Sequence, residues 1–343
     1  MKRTRKTIRI QDVSKAAGVS VSTVSRVLNG KDDVAQETEE KVQKVINELG
    51  YASSLAARGM RSHRTHVIGL VVPDVASLYS LEILRGVNRG IAQADRDLIV
   101  YTNGGVRRER AADQERSSVA LLNGGIADGV IVVTPTATDF CSHAPVVIID
   151  PNNASPDLPA VLSTNYEGAL AAMNYLTGLG HHRIAHITGR LNLISSNQRL
   201  QGYKDGLVAA GIPLAEELIE IGDYMIDMAV KGARKLLSLN EPPTAIFAAN
   251  DATAAGVYQA AKEAGLRIPE DLSVVGFDNL RDAAFMIPAL TTVDQFMAEM
   301  GTIATEMIVK LINGEKLERN LHVIQTLLIV RHSCQSPRRG GQI

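Results

Sequence analysis

Short apolar segments alternate with amphipathic segments along most of this chain, and that alternation restricts the folds open to it. Seven apolar segments have the length and composition of buried strands, and the stretches between them show helical spacing. The seven are HVIGLVV, LIVYT, GVIVVT, VVIID, RIAHIT, AIFAAN and LSVVGF. Strands that alternate with helices form parallel sheets, so about 270 residues of this pattern predict two doubly wound α/β lobes.

Polar residues stand at the carboxyl ends of four of these strands. Asp74 follows the first strand, Asp150 ends the fourth, Asn250 and Asp251 follow IFAA, and Asp278 follows VVGF. In open parallel sheets, ligands bind in the crevice beyond the carboxyl ends of the strands. These acids and amides therefore predict a crevice that binds a neutral, hydroxyl-rich ligand.

The N-terminal part of the chain differs in charge from the rest. Residues 1–66 hold 13 Lys and Arg against 7 Asp and Glu, whereas the remaining residues hold 23 against 30. A basic head on an acidic body favours contact between the head and a polyanion. A charged arm that is merely solvated would have the same composition, so charge alone leaves both interpretations open.

Three short helices are predicted in the head. The first ends at Gly18, and one face of it carries Ile10, Val13, Ala16 and Ala17. The second begins after Ser20, which is a suitable N-cap, and its inward face carries Val24, Val27 and Leu28. The third runs from about Gln36 to Leu49, before Gly50.

The outward face of the second helix is polar and suits a DNA groove. It comprises Val21 at the tip, then Ser22, Arg26 and Asn29, with Thr23 and Ser25 beside them. In a major groove, arginine binds guanine bidentately, asparagine binds adenine, and serine or threonine hydroxyls bind phosphates. An ordinary three-helix cap with a polar surface is the alternative.

The segment ASSLAARGMRSHRTH, residues 52–66, connects the head to the body. Ser54 is a possible cap for a helix that is too short to be stable alone. The segment is either a linker or a helix that forms only on a partner.

Motifs along nearly the whole chain resemble the lactose/galactose repressor (LacI/GalR) family of bacterial transcription regulators. In order they are IQDVSKAAGVSVSTVSRVLNG, ELGYASSLAARGM, VIGLVVPD, LGHHRIAHITG, RLQGYKDGL, PTAIFAANDATAAG, LRIPEDLSVVGFDN and PALTTVDQ. The resemblance implies a helix-turn-helix head, a hinge helix and a two-lobed body like periplasmic sugar-binding proteins. It also implies a homodimer that binds a pseudo-palindromic operator on double-stranded DNA, with an affinity that a small molecule changes.

The resemblance also assigns roles to residues of the head and hinge. Val21, Ser22 and Arg26 match the base-reading positions of the family's recognition helix. The hinge matches the segment that enters the minor groove, with Ala57, Arg58, Met60 and Arg61 as its DNA-contacting residues. Met60 stands where the family usually has the leucine that wedges between bases, and Ser53 stands where it often has proline.

In the body, the resemblance implies an effector pocket between the two lobes. The matching positions are Asp74, Ser77, Tyr79, Ser195, Arg199, Tyr224, Asn250, Asp278 and Gln295. Asp150 joins them as a strand-end acid. The expected effector is a monosaccharide or disaccharide.

These patterns predict the following organisation of the chain. Residues 1–53 form the helix-turn-helix domain, 54–66 the hinge helix and linker, 67–335 the body, and 336–343 a polar tail. The first lobe would comprise about 67–164 and 296–325, and the second about 165–295 and 326–335.

Several classes of protein are disfavoured by the sequence. There is no G-x-S-x-G, P-loop or G-x-G-x-x-G motif, so neither an enzyme nor a cofactor is expected. His182 and His186 are four residues apart, but RIAHIT is a predicted strand, so the two would not share a helix face, which argues against a metal site. Two cysteines, no secretory signal and no long apolar run predict a cytoplasmic protein that does not enter membranes.

Three alternatives stay open at this stage. They are a sugar carrier without a regulatory role, a sugar kinase or dehydrogenase on a similar sheet, and a regulator of the same family with a purine or other corepressor. The basic helical head argues against the first, and the missing nucleotide motifs argue against the second.

Overall fold

The computed structural model describes residues 8–28, 33–49, 64–102, 110–153 and 155–338. Its backbone separates into two compact units, residues 1–65 and 66–343. Among the residues predicted to contact DNA, Asn29, Ala57, Arg58, Met60 and Arg61 lie outside the described ranges.

Within residues 8–28 and 33–49 the head forms three helices, α1 (Ile10–Ala17), α2 (Val21–Leu28) and α3 (Gln36–Leu49). Gly18 has a φ of 66° and forms the C-cap of α1, a left-handed conformation that glycine adopts without strain. Ser20 caps α2 as predicted, because its Oγ accepts a 3.1 Å hydrogen bond from the N–H of Thr23. A tight turn and a capped helix thus follow each other within three residues.

The small core of the head forms where the three helices meet. Val13, Val24 and Val42 are fully buried there, one from each helix. The prediction that Ala16 faces inward was wrong, because it is exposed. The buried positions of α1 recur at i, i+3 and i+7, and Ala16 lies about 90° away from the centre of that stripe.

The described residues of the body form twelve strands in two six-stranded sheets. The first sheet comprises β1 (Val67–Val72), β2 (Asp97–Thr102), β3 (Gly129–Val133), β4 (Val146–Ile149), β5 (Ala160–Ser163) and β11 (Leu321–Ile324). The second comprises β6 (Ile184–Thr188), β7 (Ile219–Ile221), β8 (Ala245–Ala248), β9 (Ser273–Asp278), β10 (Thr291–Asp294) and β12 (Leu327–Ile329). All pairs are parallel except β10 with β12.

Seven α-helices occur in the parts of the body that the structure describes. They are α4 (Leu78–Ala94), α5 (Ala111–Asn123), α6 (Asn165–Gly178), α7 (Ile194–Ala209), α8 (Ile226–Leu237), α9 (Asp251–Glu263) and α10 (Met297–Ile312). The predicted fold class, a helix-turn-helix head with a two-lobed α/β body, is confirmed. The predicted apolar segments form β1–β4, β6, β8 and β9, while β5, β7, β10, β11 and β12 are short strands that periodicity did not reveal.

The chain passes between the two sheets three times, at residue 164, at residues 295–296 and at residues 325–326. Two of these crossings are bonded to each other. Thr164 Oγ1 accepts a 2.9 Å hydrogen bond from the N–H of Thr326, whose own hydroxyl lies 3.0 Å from it. The crossings therefore form one connected region at one side of the body.

Helix α10, which follows the second crossing, packs closely against α4 in the first lobe. A methyl group on Gly86 would lie 1.8 Å from the carbonyl oxygen of Ala298, and one on Gly301 would lie 2.3 Å from that of Ile83. The two helix backbones therefore touch, which requires glycine at both points.

His186 lies in the core of the second lobe. Its ring is stacked between Tyr203, at 5.1 Å, and Phe247, at 4.8 Å, and its Nδ1 lies 2.8 Å from the carbonyl oxygen of Phe247. Burial lowers the pKa of His186 to about 4. No group of three or more potential metal ligands occurs in the described parts of the chain.

The same ranges contain no helix that is both long enough and apolar enough to cross a bilayer.

Replacing His186 with phenylalanine should reduce the loss of stability on acidification. The folded protein keeps this ring neutral, whereas the unfolded chain protonates it below about pH 6.5, so stability is lost as pH falls from 6.5 towards 4. Between pH 7 and pH 5 the free energy of unfolding should fall by up to about 2 kcal/mol more in the wild type than in His186→Phe. Urea denaturation at both pH values measures this difference, and equal losses would contradict it.

Candidate ligand cleft and nucleic-acid interface

Arg199 on α7 lies at the centre of a buried polar cluster at the carboxyl ends of the strands. Its Nε donates to Asn165 Oδ1 at 2.8 Å, and its Nη1 donates to the carbonyl oxygen of Ala249 at 2.6 Å. Nη1 also lies 3.5 Å from Asp278 Oδ1, and the guanidinium carbon lies 3.7 Å from the centre of the Phe277 ring. One cation thus connects α6, α7 and the ends of β8 and β9.

Gln295 extends this cluster from the second sheet to the first. Its Nε2 donates to Asp278 Oδ1 at 2.6 Å, and its Oε1 accepts from the Ser163 hydroxyl at 3.0 Å. Gln295 belongs to the second crossing, and Ser163 ends β5 in the first sheet. Gln295 is 1 % exposed, and its two hydrogen bonds join the two lobes.

Asp150 and Tyr79 form the first-lobe wall of the cleft. Asp150 follows β4, and its Oδ2 accepts from the hydroxyl of Ser195, at the start of α7 in the second lobe, at 3.2 Å. Tyr79 accepts a 3.2 Å hydrogen bond from the hydroxyl of Thr134, which follows β3. The two lobes are thus in contact across the cleft.

Burial dominates the protonation of this cluster. It raises the pKa of Asp278 to about 6, although the Arg199 guanidinium opposes the shift. Burial likewise raises the pKa of Asp150 and of the phenols of Tyr79 and Tyr224. The carboxyl of Asp278 therefore changes charge close to neutral pH.

Tyr224 covers the second-lobe side of the cleft. Its ring lies on Gly189, where a methyl group would come within 2.1 Å of the ring carbon Cζ. Asp223 and Tyr224 both have positive φ, 58° and 62°, which is unusual for residues that carry side chains. The turn after β7 is therefore strained in order to lay this ring over the cleft.

Further strained residues follow the strands that end at the cleft. They are Thr134, Asp150, Asp278, Asn279 and Phe296, all with positive φ. Such conformations are retained where function requires them and the surrounding structure imposes them. Their concentration at the strand ends marks this region as a candidate site.

The structure brings most of the predicted effector residues close together, namely Tyr79, Asp150, Ser195, Arg199, Tyr224, Asp278 and Gln295. Asn250 has a structural role as well, since its Oδ1 caps α9 by accepting from the N–H of Thr253 at 2.8 Å. Asp74 is exposed and accepts from the N–H of Ala76, and Ser77 is the N-cap of α4. Their observed contacts are local.

Other polar residues near the strand ends and the junction of the lobes were not predicted. Thr134 and Arg190 follow β3 and β6, so the strand-end criterion that found Asp150 would have found them too. Asn152 and Glu115 carried no such signal. Asn152 lies beyond a strand end, and Glu115 sits in a helix with the composition of a surface helix.

In the head, α2 exposes the face that was predicted to read DNA. Val21, Ser22 and Arg26 are exposed, while Val24 and Val27 are buried beneath them. The Arg26 guanidinium lies 3.3 Å from the carboxylate of Asp33, and both side chains are more than half exposed.

The hydroxyls at the start of α2 are bonded to one another. Ser20 Oγ lies 2.7 Å from Ser22 Oγ and 2.8 Å from Thr23 Oγ1. This arrangement fixes the direction of the small hydroxyls at the N-terminal end of the helix.

Comparison with known proteins agrees with this architecture. The pattern for bacterial regulatory proteins of the lacI family matches residues 9–54, and that for the periplasmic binding protein-like domain matches residues 173–334. The transcriptional repressor PurR of Vibrio vulnificus is 33% identical over 333 residues, covering 95% of this chain and 98% of the relative. Catabolite control protein A of Priestia megaterium is 33% identical over 321 residues, covering 92% and 95%.

Two solved structures are similar over nearly the whole chain. A complex of the transcriptional regulator CelR with cellobiose has 30% identity and a TM-score of 0.71, covering 95% of this chain and 99% of that one. The lac repressor dimer bound to operator and the anti-inducer ONPF has 25% identity and a TM-score of 0.80, covering 96% and 100%.

A helix-turn-helix head joined to a two-lobed ligand-binding body defines a class of bacterial gene regulators. With relatives of this similarity over almost its full length, the chain belongs to the LacI family.

Replacing Gly189 with alanine should destabilise the protein by about 1–3 kcal/mol, because the new methyl group must displace the Tyr224 ring. The matched control is Gly178→Ala on α6, where a methyl group meets nothing within 4 Å. That control should be neutral or more stable by about 0.4–1 kcal/mol. Urea denaturation of both variants measures the free energies of unfolding, and equal values would contradict the proposed packing.

Proposed function

We propose that this protein is a sequence-specific transcriptional repressor whose affinity for its operator is set by a neutral, hydroxyl-rich small molecule bound between the lobes. The observation that carries the proposal is the presence in one chain of a helix with an exposed polar face and a buried polar cleft at the strand ends. The similarity to regulators of transcription over nearly the full length supports it.

In the head, Val21, Ser22 and Arg26 are the proposed base-contacting residues, with Thr23 and Ser25 directed to phosphates. The exposure of Val21, Ser22 and Arg26 on one side of α2 supports this assignment, and Thr23 and Ser25 are half-buried beside them. Asp33 holds Arg26 through an exposed ion pair, which contributes little stability. The guanidinium can therefore leave Asp33 for a guanine at little cost.

Replacing Arg26 with alanine should weaken binding to the operator relative to random DNA by about 1–3 kcal/mol, the usual value of a bidentate arginine–guanine contact. The charge-matched control is Arg234→Ala, which removes an exposed cation of α8 paired with Glu263. Fluorescence anisotropy measures the affinity of each variant for labelled operator and for a scrambled duplex. Unchanged operator preference in Arg26→Ala would show that α2 is not the reading helix.

The balance of charge in the cleft supports a neutral effector. Arg199 is paired with Asp278, and burial raises the pKa of Asp150, which favours its neutral form. A strongly charged ligand would upset this balance in a buried site.

The aromatic residues of the cleft support a sugar rather than a purine. Arg199 covers one face of the Phe277 ring, and Gly189 covers one face of Tyr224. A purine is bound best between two apolar or aromatic surfaces, whereas a sugar ring needs only one together with hydroxyl partners. Tyr224 supplies one such wall, and Asp278 and Asn250 are proposed hydroxyl partners.

The affinity for a sugar effector should fall as pH decreases through 6. The ionised carboxylate of Asp278 accepts hydrogen bonds from hydroxyls better than the protonated form does, and its pKa is about 6. The affinity should therefore drop by up to about tenfold from pH 7.5 to pH 5, as measured by isothermal titration. Asp278→Asn should bind more weakly and without this pH dependence; a wild type with constant affinity would contradict the assignment.

A homodimer is part of the proposal. Large apolar side chains are exposed on two segments that flank α9 in the second lobe, namely Met225, Ile226 and Met228 at α8, and Phe285 and Ile287 beyond β9. Both segments contact α9, because Ile226 packs near Gly256 and the Tyr258 hydroxyl donates to the carbonyl oxygen of Pro288. An apolar surface of this kind suits a second copy of the chain.

Selection of operators from a random DNA pool, repeated with a panel of sugars and purine bases, tests the proposal as a whole. We expect an enriched palindrome whose affinity changes with a mono- or disaccharide. Linkage requires that operator DNA change the affinity for that sugar by the same factor. If no DNA site is enriched, the proposed repressor function is contradicted. If operator binding responds to purines alone, the alternative of a purine corepressor is established.

A further inference from the structure

The loop between β6 and α7 belongs to the second lobe but is held by the first. Asn152, which follows β4, donates from Nδ2 to the carbonyl oxygen of Asn192 at 3.0 Å. The same side chain accepts from the N–H of Ile194, the first residue of α7, at 2.8 Å. The asparagine amide thus fixes residues 189–194 against the opposite wall of the cleft.

Arg190 lies on this loop with donor capacity to spare. Its side chain is partly buried, and its Nε is fully buried without a hydrogen-bond partner among the described residues. A buried guanidinium N–H that lacks an acceptor costs free energy, so such donors are seldom left unused in proteins. At the junction of the lobes, an acceptor can be supplied by whatever the cleft binds.

Glu115 of the first lobe lies close enough to Arg190 to feel its charge, and its own oxygens are occupied. It lies on α5, is 9 % exposed, and accepts from the N–H of Ala137 at 2.7 Å. Contacts with Thr136 occupy it further, and the Arg190 cation is close enough to oppose the rise in the pKa of Glu115 that burial causes. Glu115 therefore balances the charge of Arg190 while it keeps its hydrogen bonds to residues 136–137.

We propose that Arg190 is an effector-binding residue, with Glu115 as the opposing charge that makes the cleft select neutral sugars over their anionic counterparts. This inference rests on the proposed sugar-dependent function. Arg190 would donate to ring or hydroxyl oxygens of the sugar from the second lobe. Because Glu115 already offsets its charge, a phosphate or carboxylate on the ligand would gain no net attraction and would approach a carboxylate.

Two substitutions separate these roles. Arg190→Met keeps most of the volume of the side chain and removes its donors, so it should weaken binding of the neutral sugar tenfold or more. Glu115→Gln keeps an oxygen for the N–H of Ala137 and removes the charge. It should raise the affinity for an anionic sugar, relative to its neutral counterpart, about tenfold.

The matched controls are Arg234→Met and Glu263→Gln, which make the same changes of charge in an exposed ion pair outside the cleft. The probes are glucose, galactose, cellobiose and maltose, with glucose 6-phosphate and glucuronate as anions, titrated calorimetrically into the full-length protein. The melting temperature of each variant without ligand shows whether it is folded. If Glu115→Gln is unfolded, the outcome is decided by Arg190→Met and Arg190→Lys. The lysine variant keeps the positive charge but loses the planar guanidinium group with its several donors.

The results distinguish this inference from the function on which it rests. The inference is supported if the wild type binds a neutral sugar and prefers it to the anionic sugars. Arg190→Met must then bind the neutral sugar more weakly, Glu115→Gln must gain affinity for the anionic sugars, and the two control variants must behave like the wild type. Sugar binding that Arg190→Met leaves intact overturns the inference and keeps the sugar-dependent function. A wild type that binds no neutral sugar, or prefers an anionic one, overturns both.

Discussion

Burial of the Arg199 guanidinium is the constraint around which the second lobe and its cleft are arranged. A cation with 4 % exposure must be surrounded by acceptors, and here they come from α6, from the end of β8 and from the end of β9. Asp278 in turn is held by Gln295, which reaches the first sheet through Ser163. A single buried charge therefore determines where the strand ends, the second crossing and the two lobes meet.

This arrangement also affects how the cleft can be studied. Truncation of Arg199 would leave the Asn165 amide, the Ala249 carbonyl and the Asp278 carboxylate without their shared partner, which is strongly destabilising in a buried site. Loss of ligand response in such a variant would not identify a ligand contact. Arg190 and Tyr224 take no part in these hydrogen bonds, so they can be changed with fewer broken contacts and report on the ligand more directly.

The sequence predicted the parts of the fold that depend on local pattern. The three helices of the head and the long apolar strands of the body follow from periodicity, and Gly18 and Ser20 have the roles that their chemistry indicates. The short strands β7 and β12 have three residues each, which is too few for a periodic signal, and they are defined by pairing with distant strands. Ala16 was misplaced because a short apolar residue fits a helix stripe whether or not it faces the core.

For the cleft, the strand-end rule found acids and amides but not the contacts among them. Asp150 and Asp278 could be named from their position after a strand, whereas the packing of Tyr224 on Gly189 depends on a strained turn after β7. Glu115 was missed because its burial results from the backbone of residues 136–137, which lies more than twenty residues away in sequence. Such contacts exist only in the folded chain, so no local pattern encodes them.

The three passages of the chain between the sheets have a mechanical consequence. No single cut in the backbone can free one lobe from the other, since two covalent connections would always persist. The three crossings lie at one side of the body, and two of them are joined through Thr164 and Thr326. They resist sliding and separation of the two lobes but can bend together about a common axis. The lobes can therefore move relative to each other mainly by changing the angle between them. A small molecule bound in the cleft can fix that angle with few contacts.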